Sequence, residues 1–150
     1  MQYWLMKSEP DVFGIDDLKR VTVEPWDGVR NYQARNMMRD QMQVGDQVFF
    51  YHSNCDVPGI VGIAEIVTQG YPDDTAVNPE AKYFDPKSDP ANPRWYRVDV
   101  KFIRKLSRTI SLHELREQTI LENMPLVRKG CRLSIMPVTT DEWQAILTRE

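Results

Sequence analysis

Residues 26–36 read WDGVRNYQARN, placing an indole, an Asp-Gly turn, two guanidinium groups and several amides within one short stretch. Asn31 and Gln33 can donate and accept hydrogen bonds at once, and Arg30 and Arg35 can stack on a planar group or bind a phosphate. An aromatic wall, amides and guanidinium groups together are what is needed to hold a single planar, polar heterocycle. Stacking on an aromatic face contributes about 1–3 kcal/mol per base, and amides reading the base edge supply discrimination. A nucleobase is the obvious candidate.

A second indole stands out by strand phase. In RWYRVDVKFIRKL, Tyr96, Val98, Val100 and Phe102 share one face and Arg97, Asp99 and Lys101 the other, so Trp95 falls on the polar side. Such a ring needs either its own ligand or a cover, and the proline-rich segment just upstream could supply the cover. Trp26 likewise has two readings, a ligand platform or a filler at the corner made by Pro25 and Asp27-Gly28. Lys7, Ser8 and Glu9 end one apolar run in KSEP, and His52, Ser53 and Asn54 end another in YHSN. Polar groups at strand ends converge on a cavity mouth or simply stabilise a turn.

The elements that position these groups follow from pattern. QYWLMK is an apolar, aromatic run suited to a buried first strand, and Pro10 turns the chain into a short helical segment, DVFGIDDLKR. VTVEPW is β-branched but interrupted by Pro25, hence edge-like or irregular. NYQARNMMRDQM predicts a helix with Tyr32, Met38 and Met42 turned inward. VGDQVFFYHS and GIVGIAEIV predict a hairpin around NCDVPG. Residues 70–93 carry Pro72, Pro79, Pro86, Pro90 and Pro93, a long stiffened loop that Tyr71, Tyr83 and Phe84 should pack onto the body. Beyond the strand at 94–106, Ser111 with Glu114 and Thr139 with Glu142 are capping-box spacings for two helices, separated by the strand CRLSIMPV. Strands and short helices without regular alternation predict an α+β fold, a small, mostly antiparallel barrel flanked by short helices.

A chain of 150 residues fits one domain, and 41% hydrophobic with 27% charged residues is close to the globular average and indicates neither disorder nor coiled coil. A net charge of -3 argues against a protein that coats nucleic acid by bulk attraction, though it allows a local basic surface. Arg30, Arg35 and Arg39 cluster in sequence, as do Arg104, Lys105 and Arg108, and Arg128, Lys129 and Arg132; solvated faces produce the same runs. Cys55 and Cys131 lack metal-ligand spacing and the two histidines are isolated, so neither a metal nor another cofactor is expected. No apolar run is long enough for a bilayer and MQYWLMKSEP lacks the features of a secretory leader, so a cytoplasmic protein, or a nuclear one in a eukaryote, is expected.

Taken in order, YWLMKSEPD, WDGVRNYQARN, FFYHSN, GIVGIAEIV, YPDDTA, DPKSDPANPRWYRVDV and RLSIMPVTTDEW resemble the EVE domain family across essentially the whole chain. The family belongs to the PUA-like superfamily with YTH readers of methylated RNA and ASCH domains. The resemblance implies a PUA-like barrel with a pocket for a modified nucleobase in DNA or RNA. In YTH domains an aromatic cage closes on the methylated base, and Trp26 and Trp95 stand in comparable places. The polar lining that the resemblance implies is Lys7, Ser8, Asn31, Ser53 and Asn54, with Arg30, Arg35, Arg104 and Lys105 left for the nucleic-acid backbone.

The expected mechanism is that a modified base leaves the stack, costing a few kcal/mol, and enters the pocket while basic residues hold flanking phosphates. Two alternatives differ in class. Lys7, Ser8 and Glu9 offer a cation, a nucleophile and an acid for an amidohydrolase acting on a modified nucleoside, although successive strand residues face opposite ways. A protein-interaction module would use the proline loop and names no partner.

Overall fold

The computed structural model describes residues 1–150. Its elements in chain order are β1 (Tyr3–Ser8), α1 (Pro10–Phe13), α2 (Ile15–Val21), β2 (Val23–Pro25), α3 (Tyr32–Asn36), β3 (Gln47–His52), β4 (Gly59–Ile66), β5 (Tyr71–Pro72), β6 (Tyr96–Arg97), β7 (Asp99–Ser111), α4 (Leu112–Arg116), β8 (Ile135–Val138) and α5 (Thr140–Leu147). Six strands form one curled sheet in the order β2-β7-β4-β3-β1-β8, a half-barrel, and β5 pairs with β6 in a separate ribbon. All pairings are antiparallel except β1 with β3. The fold is α+β, as expected.

β1 and β3 are nearly continuous apolar runs because both faces of the sheet are covered there. Trp4, Met6, Val48 and Phe50 point into one core with Ile15, Leu18 and Met38, whereas Leu5, Phe49 and Tyr51 point into another with Leu115, Trp143 and Ile146. Trp143 of α5 stacks on Phe49 with ring centroids 3.8 Å apart. The buried Trp4 indole donates to Asp46, whose carboxylate also accepts from the Gln2 and Gln43 backbones. The two edges of the sheet each carry a proline, Pro25 in β2 and Pro137 in β8, where a missing donor costs no interior ladder bond. No helix is long and apolar enough to cross a membrane, and no group of three or more candidate ligand side chains is placed to hold a metal ion.

The hairpin of β3 and β4 and the edge strand β2 lie where the pattern predicts. Other expectations need correction. The helical segment after Pro10 is split at Gly14, whose N–H is bound by Asp17 at 2.8 Å to start α2. NYQARNMMRDQM is not one regular helix: α3 gives way to a π-turn over Met37–Gln41, which buries Met38 and Met42 but leaves Tyr32 turned outward. The strand at 94–106 breaks at Val98, so its first part pairs in the small ribbon and only the second joins the main sheet. Thr139 and Glu142 form a full capping box, but Ser111 caps α4 alone because Glu114 turns to Arg108 and Arg149.

Candidate functional site

A cavity of about 710 Å³ opens beside the end of β1 and is bounded by α1, β2, the segment leading into α3, Tyr83 and residues 132–134. Its position follows from strand phase. Glu24 pairs with Val100, and the Trp26 N–H continues the ladder to the Val98 carbonyl at 2.8 Å. Val98 and Val100 are buried in the core, so Glu24 and Trp26 project to the same, inner side. Trp26 is half-buried there, its ring edge-on to Phe50 at 5.6 Å, and part of its surface faces the cavity.

Of the residues expected at this site, Lys7, Ser8, Trp26, Asn31 and Ser53 line the cavity. Lys7 arrives from the other face of β1, with its ammonium 5.8 Å from the Tyr51 ring; burial pulls its pKa down, partly opposed by Cys131. The Ser8 hydroxyl donates to the Phe13 carbonyl at 2.5 Å and thereby closes the corner after β1. Asn31 caps α3: its Oδ1 accepts from Ala34 N at 3.0 Å, which leaves the amide NH2 without a protein acceptor. His52 accepts from Ile15 N at 3.1 Å, and burial holds its pKa down, so it serves as a neutral acceptor.

Asn54 and Trp95 stand elsewhere. Asn54 adopts a left-handed φ of 52° and does not itself line the cavity, although it donates to Glu9, which does. Trp95 is only 6% exposed and lies beneath the proline-rich segment, beside a smaller cavity of about 210 Å³. Its Nε1 donates to Asp85 at 2.6 Å, Tyr32 stacks on it with centroids 4.8 Å apart, and the Arg30 guanidinium is 5.6 Å from the ring. The cover, not a ligand, satisfies this indole.

Arg30 and Arg35 are likewise tied into the scaffold. Arg30 lines the cavity but binds Asp73 at 3.0 Å and the Tyr83 carbonyl at 2.7 Å. Arg35 lies over Tyr32 and donates to the Arg94 carbonyl. Asp73 joins the two loops: it also accepts from Gly28 N and from Thr75. Burial alone would raise its pKa, but donors from Thr75, Gly28 and Arg30 outweigh that and hold it below its ordinary value. Gly28, at φ 75°, lies so close beneath the Tyr83 ring that a Cβ would overlap it. Arg104 and Lys105 do not line the cavity and are ion-paired at exposed positions, to Glu150 at 2.8 Å and Asp16 at 3.0 Å.

Several lining residues escaped the sequence reading. Phe13 and Tyr83 add apolar surface, and Arg132 is an exposed cation with no ion pair. Arg132 stood out in the sequence only as part of the basic run with Arg128 and Lys129. Glu24 and Asp27 place carboxyls in the cavity, and both are held above their ordinary range: Glu24 by burial, Asp27 and Asp99, and Asp27 by burial and Asp73 against a partial offset from Arg97. The arrangement can hold an uncharged, planar group bearing hydrogen-bond donors, with cations reserved for its surroundings.

The EVE domain profile matches residues 2–149. The chain belongs to the EVE domain family. Thymocyte nuclear protein 1 of Danio rerio is 44% identical over 166 aligned positions, covering 98% of this chain and 71% of that protein. Among solved structures, a protein of Pseudomonas syringae superposes with a TM-score of 0.94 at 51% identity, covering 98% of both chains. Human THYN1 in complex with 5-methylcytosine-containing DNA superposes with a TM-score of 0.94 at 43% identity, covering 99% of this chain and 97% of that one. An ASCH protein of Zymomonas mobilis shares the fold at 14% identity and a TM-score of 0.61. In this EVE domain the half-barrel and its helices therefore match those of its relatives along the full chain.

Proposed function

We propose that this EVE domain is a reader of a modified nucleobase in DNA, with 5-methylcytosine as the modification to test first. The observation that carries the reading is the cavity itself: a half-buried indole, an unpaired amide NH2 and apolar surface from Phe13 and Tyr83 border one space large enough for a base. A base turned out of the stack, at a cost of a few kcal/mol, would pack on Trp26 and meet Asn31 Nδ2 with a ring acceptor. A 5-methyl group would add roughly 1 kcal/mol of apolar contact, so selectivity over the unmodified base is expected to be graded. Lys7 and Arg132 would meet neighbouring phosphates. Likeness to human THYN1, whose complex contains 5-methylcytosine DNA, supports the choice of ligand.

The test is a titration of the protein with duplexes that differ only by one 5-methylcytosine, repeated with Trp26→Ala. Tighter binding of the methylated duplex, weakened by the variant, is expected. Equal affinity for both duplexes, unchanged by the variant, would remove the reading.

A further inference from the structure

Glu24 and Trp26 leave the edge of the sheet on the same side, two residues apart on an extended segment whose partners, Val100 and Val98, both face the core. A carboxylate therefore stands beside the indole inside the cavity. The groups that act on it are its burial and the acids Asp27 and Asp99, with no cation and no donor among them. Asp27, its neighbour, reaches Arg97 only at 3.9 Å. The half-buried carboxylate has no protein donor, so its lone pairs are open to a ligand that brings N–H groups. The same charge repels a phosphate or a carbonyl oxygen. Across the site, Asn31 offers the opposite polarity, a free NH2 whose oxygen is committed to the cap of α3.

We propose that Glu24 reads the exocyclic amine of a cytosine-type base, so that the cavity takes an aminopyrimidine and rejects the deaminated keto base carrying the same 5-methyl group. The proposal rests on the base-reader reading above. Cytosine presents an amine donor beside ring acceptors, which an acceptor at Glu24 and a donor at Asn31 complement. Thymine reverses the polarity at the position of the amine: O4 would face the carboxylate, losing a hydrogen bond and adding repulsion. A site built around a substrate N–H rejects the analogue that lacks it far more strongly than it senses a methyl group.

The experiment uses three oligonucleotide duplexes carrying 5-methylcytosine, thymine or no base at one position, each opposite an abasic site so that neither base has a pairing partner to lose. Wild type is expected to prefer 5-methylcytosine by about tenfold or more. Glu24→Gln should bring that ratio within about threefold, mainly by strengthening thymine binding, since its amide can donate to O4 whereas the carboxylate repels it. Glu24→Ala, a simple truncation on an edge strand, should lose the preference as well. Circular dichroism reports whether each variant is folded. A folded variant that keeps the wild-type ratio, or a wild type that binds both bases equally, overturns the role of Glu24 while leaving the reader intact. Failure of wild type to distinguish either duplex from one with no base to insert overturns the reader reading itself.

Discussion

Trp95 donates from Nε1 to Asp85 at 2.6 Å, and this bond fixes the proline-rich segment to the strand it covers. Asp85 also accepts from Lys87 N, and the Trp95 and Lys87 donors together hold its carboxyl below the ordinary range. With Tyr32 stacked on the indole, the ring joins α3 to the segment whose Tyr83 borders the cavity. Trp95 is thus a support for the site and not part of its lining.

Trp95→Ala should accordingly act on stability. Truncating a buried aromatic costs about 3–5 kcal/mol, and the cost should appear as a lowered urea midpoint with faster proteolysis between residues 78 and 93. A variant of wild-type stability that had lost only DNA binding would return Trp95 to the lining.

Gly28→Ala should disturb the cavity from the opposite side. At φ 75° a side chain costs about 1–2 kcal/mol, and here the added methyl would also push the Tyr83 ring from its seat. A lower melting temperature with higher Tyr83 solvent exposure is expected. Alanine tolerated without either change would show that the Tyr83 contact is dispensable.

Asp73 predicts an acid limb in the stability profile. Because its folded carboxyl is held below its ordinary value, its contribution is complete above the unfolded value of about 3.9 and is lost as pH falls through the lower folded one. Asp73→Asn should be less stable than wild type at pH 7, with the gap narrowing toward pH 2. Glu24 has the opposite sign: its folded value is raised, so its charge opposes folding above that value. Glu24→Gln should therefore be slightly more stable than wild type at pH 7 and equal to it well below pH 4. Parallel pH profiles for wild type and either variant would contradict the assignment.

Salt dependence separates the cations. Arg132, exposed and unpaired at the cavity, should reduce the slope of log K against log salt by about 1 when replaced by alanine. Arg104→Ala and Lys105→Ala remove groups already engaged by Glu150 and Asp16, so the slope should not move. A slope that responds to Arg104 and not to Arg132 would place the DNA on another face.

Periodicity carried the buried strands β1, β3 and β4, and the cap at Thr139, because these depend on local spacing. It also drew attention to Trp26 and Asn31, whose polarity and turn context are local too. What it missed depends on contacts far along the chain. The kink at Val98 moved Trp95 out of the phase assumed for a straight strand, and Asp85, ten residues earlier, completed its cover. Arg30 resembled a phosphate ligand until Asp73, 43 residues away, claimed it. Glu24 could not be recognised as a cavity residue before its pairing with Val100 set the direction of β2.

The placement of β1 between β3 and β8 has a consequence for biosynthesis. The domain's first strand is flanked by its last, so its second edge stays open until translation has passed Val138. During that interval the backbone of Tyr3–Met6 offers unpaired donors and acceptors to any passing strand. Nascent chains stalled before β8 should be the aggregation-prone species, and completion of the C-terminal segment should end that exposure.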